Sequence, residues 1–511
     1  NEPLRKNPNG NGYVFNGQYL TMSDLERIKA RNNMDSRGIT LSGKIVYQPT
    51  TNLGITLGGS YDDTKRKDFV YENALFNYDN NPRIHNKTYR GYAKITQKFN
   101  TQTATEQDKS SSLIKNAYFT IQGSFMRHIG KTEPGAHGDN FFDYGYVGKF
   151  DQVREAAYEA KTTDQYDVDG GGRDVITGWF QNGFRDLSYK YTPSDKNPYL
   201  AAYTKQYYAI TDPAFIRNIF DVESGLGLGN GDQPLSIYSI WNNGGYISNS
   251  YRKSQIDQFR VFANFSADVK NHAIQVGMEY EQRNESQYAL TTSGLWSIMR
   301  QLANNERLNL DDKDSTSAIY VGPVTVNGFT MDGYEFKRAY SGDQSKFARS
   351  LRTALGLDTA GVDVVNVDQY DPSTYKLDMF SADDLLNSGG TQLVAYNGYD
   401  HTGKKISGTS SLDDFFDKRD AEGYHTRATA AYRPIYIAGY IQDKFDFRDV
   451  KFNIGLRIDR FDANQKVLKD PYLLLDAKTV GELNIPNRPS NIGDDFVPYV
   501  RNVADPKITE I

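Results

Sequence analysis

The acidic, glycine-rich stretch 164–174 has the residue types of a cation site, and its sequence is DQYDVDGGGRD. Carboxylate oxygens beside glycines suit a hard cation such as calcium, because glycine lets the backbone turn sharply around the ion. The spacing departs from that of an EF-hand loop, since Gln165 and Ile176 occupy the first and twelfth positions. Two interpretations stay open: a calcium site in an extracellular loop, or an ordinary solvated loop.

Other patterns that could carry catalysis or bind a metal are weak. The six histidines have neither H-x-H nor i, i+4 spacing, which argues against zinc. They are His85, His128, His137, His272, His401 and His425. The chain has no cysteine, which excludes disulfides, thiolate metal sites and cysteine nucleophiles. Acidic pairs such as Asp413 and Asp414 resemble glycosidase carboxylates but occur in any acidic loop. The sequence therefore predicts that the protein is not an enzyme.

Aromatic side chains are the best candidates for ligand binding, because their faces stack on sugars or peptides. The chain contains 37 tyrosines and 27 phenylalanines, a count that sugar-binding surfaces would explain and that aromatic girdles at two membrane interfaces would explain as well. The candidates in the long irregular segments are Tyr144, Tyr146, Trp179, Phe180, Trp241 and Trp296. For each of them, packing within the loops is the alternative explanation.

The stretch 427–461 contains the clearest structural pattern. Its apolar set is Phe452, Ile454, Leu456 and Ile458, and these alternate with Asn453, Gly455, Arg457 and Asp459. Side chains of a strand alternate between its two faces, so one face is apolar and the other polar. The pair is longer than a typical strand of about 5–6 residues. The pattern predicts a transmembrane β-hairpin, with the apolar set facing lipid.

Similar alternation occurs near 39–61, 89–125 and 259–281, which predicts about eight antiparallel strands. Charged residues of these strands fall on the polar face. The residues predicted to face the lumen are Lys44, Lys94, Arg260, Glu279, Asn453, Arg457 and Asp459. The links alternate in length. The short ones are 49–52, 100–115, 270–271 and 448–449, and the long ones are 62–88, 128–253 and 284–424. One rim of short turns and one of long loops is typical of an outer-membrane barrel. The predicted fold is therefore an all-β, antiparallel transmembrane β-barrel.

The predicted organisation is a loop segment at 1–36, barrel strands within 37–461 with irregular loops at 128–253 and 284–424, and a further extracellular loop from 462 to 511. No run of 18 apolar residues occurs, so no transmembrane helix is predicted. The net charge of −5 gives no basic footprint for nucleic acid. We expect the chain to be an internal portion of a longer protein, without a plug domain.

The segments 440–445 (YIQDKF) and 453–459 (NIGLRID) resemble the Y-x-Q-D and L-x-x-G-x-R-x-D hairpin of TonB-dependent outer-membrane receptors. The segments 144–150, 276–281 and 452–471 are similar to the large receptors of Bacteroidota, and 47–50 lies where such barrels make a periplasmic turn. This resemblance implies a barrel of 22 strands, an N-terminal plug and uptake powered by a TonB-type energiser. It also implies a surface lipoprotein lid as a partner. The sequence departs from the family in having about eight strands and no recognisable plug.

Three functions follow as hypotheses. The first is the barrel portion of a TonB-dependent transporter that imports a glycan, peptide or chelate, with the loops capturing the ligand. The second is a structural or adhesive outer-membrane subunit of a larger assembly that does not transport. The third is a soluble β-rich surface protein or glycan-active enzyme. Under the first two, the protein lies in the bacterial outer membrane in contact with lipid. Arg457 and Asp459 then either form lumenal salt bridges or hold a plug.

Overall fold

The computed structural model describes residues 2–99, 114–135, 137–166, 172–248, 250–304, 318–336, 344–361, 364–468, 478–483 and 488–498. The prediction of a mainly antiparallel all-β fold is confirmed. Within the described ranges, no helix has both the length and the apolar character needed to cross a membrane.

The strands fall into a main sheet, a smaller sheet and a short N-terminal pair. They are β1 (Leu4–Lys6), β2 (Tyr13–Phe15), β3 (Ser36–Thr50), β4 (Leu53–Lys67), β5 (Arg83–Lys98), β6 (Ile114–Glu133), β7 (Gly148–Tyr166), β8 (Gly172–Pro193), β9 (Tyr251–Val269), β10 (His272–Leu290), β11 (Ala318–Val326), β12 (Phe329–Phe336), β13 (Val394–Asn397), β14 (Ile435–Phe447) and β15 (Val450–Asp462). The helices are α1 (Pro198–Ile210), α2 (Ile219–Ser224), α3 (Gly294–Asn304), α4 (Lys346–Ala354), α5 (Ala382–Leu386), α6 (Leu412–Asp417) and α7 (Val480–Leu483).

The main sheet is an up-and-down meander of eight long strands in the order β3-β4-β5-β6-β9-β10-β14-β15. Every neighbour is antiparallel, and the short strand β13 adds to the end of β10. The longest of the eight, β6, has 20 residues, and β9 and β10 have 19 each. Both β3 and β15 are edge strands, so the described strands form an open sheet and not a closed barrel.

The two rims of the main sheet differ as the sequence predicts. At one rim, two-residue turns at 51–52, 270–271 and 448–449 join successive strands. Lys270 and Arg448 have φ values of 56° and 55°, as tight hairpin turns between twisted strands require. The opposite rim carries the long connections 68–82, 134–250 and 291–434.

The expectation that 128–253 and 284–424 are irregular does not hold. The first segment contains the hairpin β7–β8 and two helices, and the second contains the hairpin β11–β12 and four helices. The two hairpins join in a four-stranded sheet, β11-β12-β8-β7, in which β12 and β8 are parallel. Register shifts break the β7–β8 pair at three places. Each bulge moves the following side chains to the other face, which removes the period-2 signal from the sequence.

Two hydrophobic cores lie within the long connections, and we call them the first and second loop cores. The first is centred on Trp296, Met299, Phe347 and Phe380. The second is centred on residues of β7, α1 and the N-terminal pair β1–β2, so the predicted loop segment 1–36 contributes to a core. The long connections therefore form a folded cap at one rim of the main sheet.

Candidate functional site

The main sheet has one apolar face that runs across all eight long strands. Residues paired in register share a face. One such row joins Ile458 through Met278, Ile121 and Ile95 to Tyr47. The exposed apolar residues of this face include Ile39, Leu41, Ile45, Leu57, Ile95, Ile121, Phe125, Ile129, Phe259, Phe265, Val276, Met278, Ile437, Ile441, Phe452, Ile454, Leu456 and Ile458. The four side chains predicted to face lipid are thus on this face.

On the inner strands the apolar face is more exposed than the polar face, whereas both faces of the edge strands β3 and β15 are exposed. Leu57 is 52% exposed, whereas its neighbour Thr56 is 8% exposed. Ile437 is 44% exposed, whereas Ala438 is 3% exposed. Antiparallel sheets of water-soluble proteins show the reverse order, with the apolar set inside and the polar set outside. The main sheet is therefore inside-out relative to such proteins.

The apolar face is too large to be an ordinary surface patch. Seven inter-strand spacings of about 4.8 Å make it about 34 Å wide. Tyr61 follows Leu53 by eight residues, so the apolar band is about 27 Å tall along the strand. The product is on the order of 900 Å², whereas the largest apolar patch on a typical soluble monomer is about 300–600 Å².

Aromatic side chains border the apolar face at both rims. Towards the long connections, the rings of Tyr61 and Tyr89 are 5.0 Å apart. Towards the short turns, Phe99 and Phe119 are 5.9 Å apart, and Phe445 stacks on Phe452 at 5.0 Å. On the cap side the aromatic border spans β4 and β5, and the same register row continues with Arg127 and Asp257 on β6 and β9. Aromatic side chains at both borders of an apolar band are expected where a sheet meets both surfaces of a bilayer.

The seven residues predicted to face a lumen all lie on the polar face. Register places them there together: Lys44, Lys94, Arg260, Glu279, Asn453, Arg457 and Asp459. Glu279 forms an ion-pair network with Arg260, Arg457 and Asp459. Arg260 Nε lies 2.6 Å from Glu279 Oε1, and Arg457 Nη2 lies 3.6 Å from Glu279 Oε2. Arg457 also pairs with Asp459 at 2.9 Å, so the network joins β9, β10 and β15.

Aromatic rings on the polar face lie over glycines of the neighbouring strand. A Cβ at Gly277 would overlap the ring of Tyr440, and a Cβ at Gly58 would lie 2.6 Å from the ring of Tyr92. Gln275 donates a hydrogen bond to the Tyr440 hydroxyl at 3.3 Å. Beside these groups an open cavity of about 700 Å³ reaches Arg457. Because Gly58 and Gly277 have no side chain, the two rings lie against the neighbouring strand and the space above the polar face stays open.

A second cavity on the polar face, of about 450 Å³, lies near the cap and was missed in the sequence. Its polar lining includes Asn86, Ser254, Gln287 and Asn397. A Cβ at Gly130 would lie 2.6 Å from Ser254 Oγ, so glycine keeps this space open. Polar residues alternate along these strands and could have indicated the cavity. They lie beyond the strand ends that the sequence predicts, because the strands are longer than predicted.

Three of the predicted ligand-binding aromatics lie inside the loop cores. Tyr144 and Trp296 are 0% exposed, and Tyr146 is 2% exposed. Tyr146 stacks on Trp296 at 5.5 Å, and Trp296 Nε1 donates a hydrogen bond to the Phe142 carbonyl at 3.2 Å. Their ring faces contact protein, so the alternative of packing within the loops describes them.

The other three predicted aromatics also contact protein groups. Trp179 is 8% exposed, and its Nε1 donates a hydrogen bond to the Phe329 carbonyl at 3.0 Å. Phe180 stacks on Tyr334 at 4.8 Å. Trp241 lies against Tyr71 at 4.7 Å. The six aromatics are spread over the cap and do not form one site.

A buried polar network connects the two loop cores. Arg300 binds Asp368 through two hydrogen bonds of 2.7 and 2.8 Å and donates to the Asn230 carbonyl. Burial, and then the nearby carboxyl of Asp232, raise the pKa of Glu223. Burial also raises the pKa of Asp232, although Arg300 opposes that shift. The Arg300–Asp368 pair holds the two loop cores together. The buried carboxyls of Glu223 and Asp232 destabilise the folded cap when they are charged.

The structure places no metal centre in the ranges it describes, because no three His, Asp or Glu side chains there are grouped to hold an ion. Residues 167–171 of the candidate calcium stretch lie outside those ranges, and its two ends, 164–166 and 172–174, belong to β7 and β8. Comparison of the sequence with models of known families gave no match, and comparison with curated proteins gave none.

Proposed function

We propose that this chain forms part of the wall of a transmembrane β-barrel in a bacterial outer membrane. The observation that carries the proposal is the two-sided main sheet, with exposed Ile, Leu and Phe on one face and polar and charged residues on the other. Water disfavours such a face, whereas the hydrocarbon of a bilayer favours it. The polar face would then line an aqueous interior.

The dimensions of the apolar band support this proposal. Its height is about 27 Å along the strands, which is about 21 Å along the membrane normal at a tilt of about 40°. The apolar band of an outer-membrane barrel is about 25 Å tall. The aromatic rows stand at the two borders, where an amphipathic ring contacts both lipid and water.

The open edges of the main sheet support a barrel of more than eight strands. β3 is exposed along its whole length, and so is nearly all of β15. Bare edges inside a bilayer would leave backbone groups without hydrogen-bond partners, so further strands must pair with both. This requirement agrees with the large barrels to which the hairpin β14–β15 is similar.

The transport role rests on the resemblance to TonB-dependent receptors and on the arrangement of the cap. The cap lies at one rim, and Asn86, Ser254, Gln287 and Asn397, which line the cavity near the cap, share one register row on the polar face. We propose that the cap captures a glycan, peptide or chelate, which then passes along the polar face. A plug and a TonB-type energiser would supply gating and energy, and a surface lipoprotein lid would be a partner.

A structural or adhesive outer-membrane subunit is the second candidate. The ion pairs between Arg260, Glu279 and Arg457 favour this candidate, because they neutralise charges of the polar face that could otherwise bind a transported ligand. Deleting the gene separates the two candidates. Slow growth on one class of nutrient, among glycans, peptides and iron chelates, supports import. Normal growth on all three with a leaky envelope supports the structural role.

Membrane embedding can be tested with single cysteines, because the chain has none of its own. Leu456→Cys and Arg457→Cys are adjacent in sequence and lie on opposite faces. In the whole protein in vesicles, a water-soluble maleimide should label position 457 rapidly and position 456 only after detergent is added. Equal labelling at both positions without detergent would contradict the proposal.

A further inference from the structure

The cavity near the cap contains one arginine among neutral polar side chains. The arginine is Arg252, which register places beside Thr132 on β6 and Ala289 on β10. In the adjacent row of the same face, Ser254 lies beside Gln287. The cavity measures about 450 Å³, which is within the range of about 300–1,000 Å³ that small-molecule sites occupy.

This cavity lies on the polar face of the main sheet. At the same height the opposite face is already covered, because Tyr251 and Tyr288 are 0% and 1% exposed and belong to the first loop core. Arg252 follows Tyr251 on β9, so its side chain points away from that core. Gly130 and Ala289 are small residues of the cavity lining and leave space around it. The cavity therefore opens towards the side that the polar face lines.

Arg252 is an exposed cation without a counter-ion in the part of the chain that the structure describes. The cavity lining contains no Asp or Glu side chain. On β10 the nearest acid of this face is Glu285, four residues from Ala289, the register partner of Arg252, hence about 14 Å along the strand. By contrast, Arg66 lies in the same register row on β4 and pairs with Asp68 at 3.3 Å. The positive charge of Arg252 is therefore left to a ligand.

Neutral hydrogen-bonding groups surround this cation. The side chains that line the cavity and have no hydrogen-bond partner among the described residues are Asn86, Thr132, Ser254 and Gln287. Each side-chain amide or hydroxyl can both donate and accept a hydrogen bond. A Cβ at Gly130 would lie 2.6 Å from Ser254 Oγ and 3.2 Å from Asn86 Oδ1, so these groups converge above the glycine. A ligand with several donors and acceptors would satisfy them.

The charge and the lining together indicate the class of ligand. A guanidinium group binds a carboxylate through two parallel hydrogen bonds. One cation balances one carboxylate, whereas a phosphate monoester carries about 1.5–2 negative charges at neutral pH and would keep an excess. Hydroxyl groups donate and accept, as the neutral lining does. The lining residues of the polar face include no large apolar side chain that could receive the side chain of a peptide.

We propose that this cavity binds a sugar acid, a polyhydroxylated ligand with a single carboxylate. Arg252 pairs with the carboxylate, and Asn86, Ser254 and Gln287 form hydrogen bonds with the hydroxyl groups. The inference rests on the proposed conduit and names the class of its cargo. It places the acidic end of the ligand at β9 and the neutral body towards β5 and β10.

The experiment measures binding to the whole, detergent-solubilised protein by isothermal titration calorimetry. The probes are a disaccharide of glucuronate and glucose and its neutral counterpart, which has a hydroxymethyl group in place of the carboxylate. Arg252→Gln should weaken binding of the acidic probe about 10-fold and leave the neutral probe unchanged, because only hydrogen bonds to a charged group are lost. Arg252→Lys keeps the charge without the planar fork and should give a smaller loss.

Arg66→Gln is the matched control, because it removes an arginine from the same register row outside the cavity, and it should bind both probes as wild type does. Gln287→Ala should weaken both probes by a similar factor, since Gln287 contacts the body that they share. Equal affinity of wild type and Arg252→Gln for the acidic probe would overturn the proposal. So would an equal loss in Arg66→Gln, or tighter binding of dialanine or of the disaccharide phosphorylated at the same position.

A failure of this site can be separated from a failure of the membrane wall. The calorimetry uses solubilised protein, and the cysteine labelling at positions 456 and 457 does not involve the cavity. Protection at 456 together with equal binding of the acidic probe by wild type and Arg252→Gln rejects the sugar-acid site alone. Rapid labelling of 456 without detergent rejects the wall, and the role of the cavity in import falls with it.

Discussion

Leu57→Arg is the sharpest test of which medium the apolar face contacts. Leu57 lies midway between Leu53 and Tyr61 on β4, hence at the middle of the apolar band, and is 52% exposed. If lipid covers this face, arginine there should destabilise the protein by about 2–4 kcal/mol. If water covers it, the same substitution at an exposed site should change stability by about 0.5 kcal/mol or less.

The measurement is reversible urea unfolding of the whole protein in lipid vesicles, followed by tryptophan fluorescence. A loss of about 3 kcal/mol corresponds to about a 100-fold change in the folding equilibrium. It would lower the urea concentration at the unfolding midpoint and leave the slope of the free energy against urea unchanged. Leu235→Arg is the control, because Leu235 is 65% exposed but lies in the cap. Equal, small effects of the two substitutions would refute a lipid-facing sheet.

Three further predictions concern the inner wall and the cap. Gly277→Ala should destabilise the sheet by about 1–3 kcal/mol, because the new methyl overlaps the Tyr440 ring; Gly439→Ala, whose nearest contact would be 3.9 Å away, should be tolerated in the same unfolding assay. Arg300→Met should weaken the cap by about 3–5 kcal/mol, because buried Asp368 loses its cation and keeps only the hydrogen bond from Asn230; limited proteolysis should then cut the cap faster, and comparable cleavage of exposed Arg349→Met would contradict this. Cap stability should rise as the pH falls from neutral towards the ordinary pKa range of carboxyl groups, because the raised pKa values of Glu223 and Asp232 make the folded state bind more protons than the unfolded state; Glu223→Gln should flatten this dependence in thermal unfolding, and an unchanged slope would exclude Glu223 as its source.

The polar face and the apolar face together explain why the chain combines low overall apolar content with a very large apolar surface. Only every second residue of the long strands is apolar, so 38% hydrophobic residues suffice to cover one side of eight strands. The remaining positions supply the ion pairs of Glu279 and the amide-lined cavity near the cap.

The candidate ligand site was predicted less well than the strands. The sequence singled out aromatic residues in the long connections, and the structure buries or packs all six. An aromatic side chain in a long segment has the same composition signal whether it contacts a ligand or forms a core. The polar cavity with Asn86 and Gln287 lacks any local motif, because its residues come from β5, β6, β9, β10 and β13.

The sequence by itself determined the two-sided character of the long strands, because alternation with period 2 is a local property of an extended backbone. It also determined which rim carries short turns, since link length is read directly along the chain. The tertiary structure alone decided how the long connections fold, since bulges and distant contacts leave no period in the sequence. It alone aligned Asn86, Gly130, Ser254 and Gln287 beside Arg252, because register between strands is set by pairing across the whole sheet.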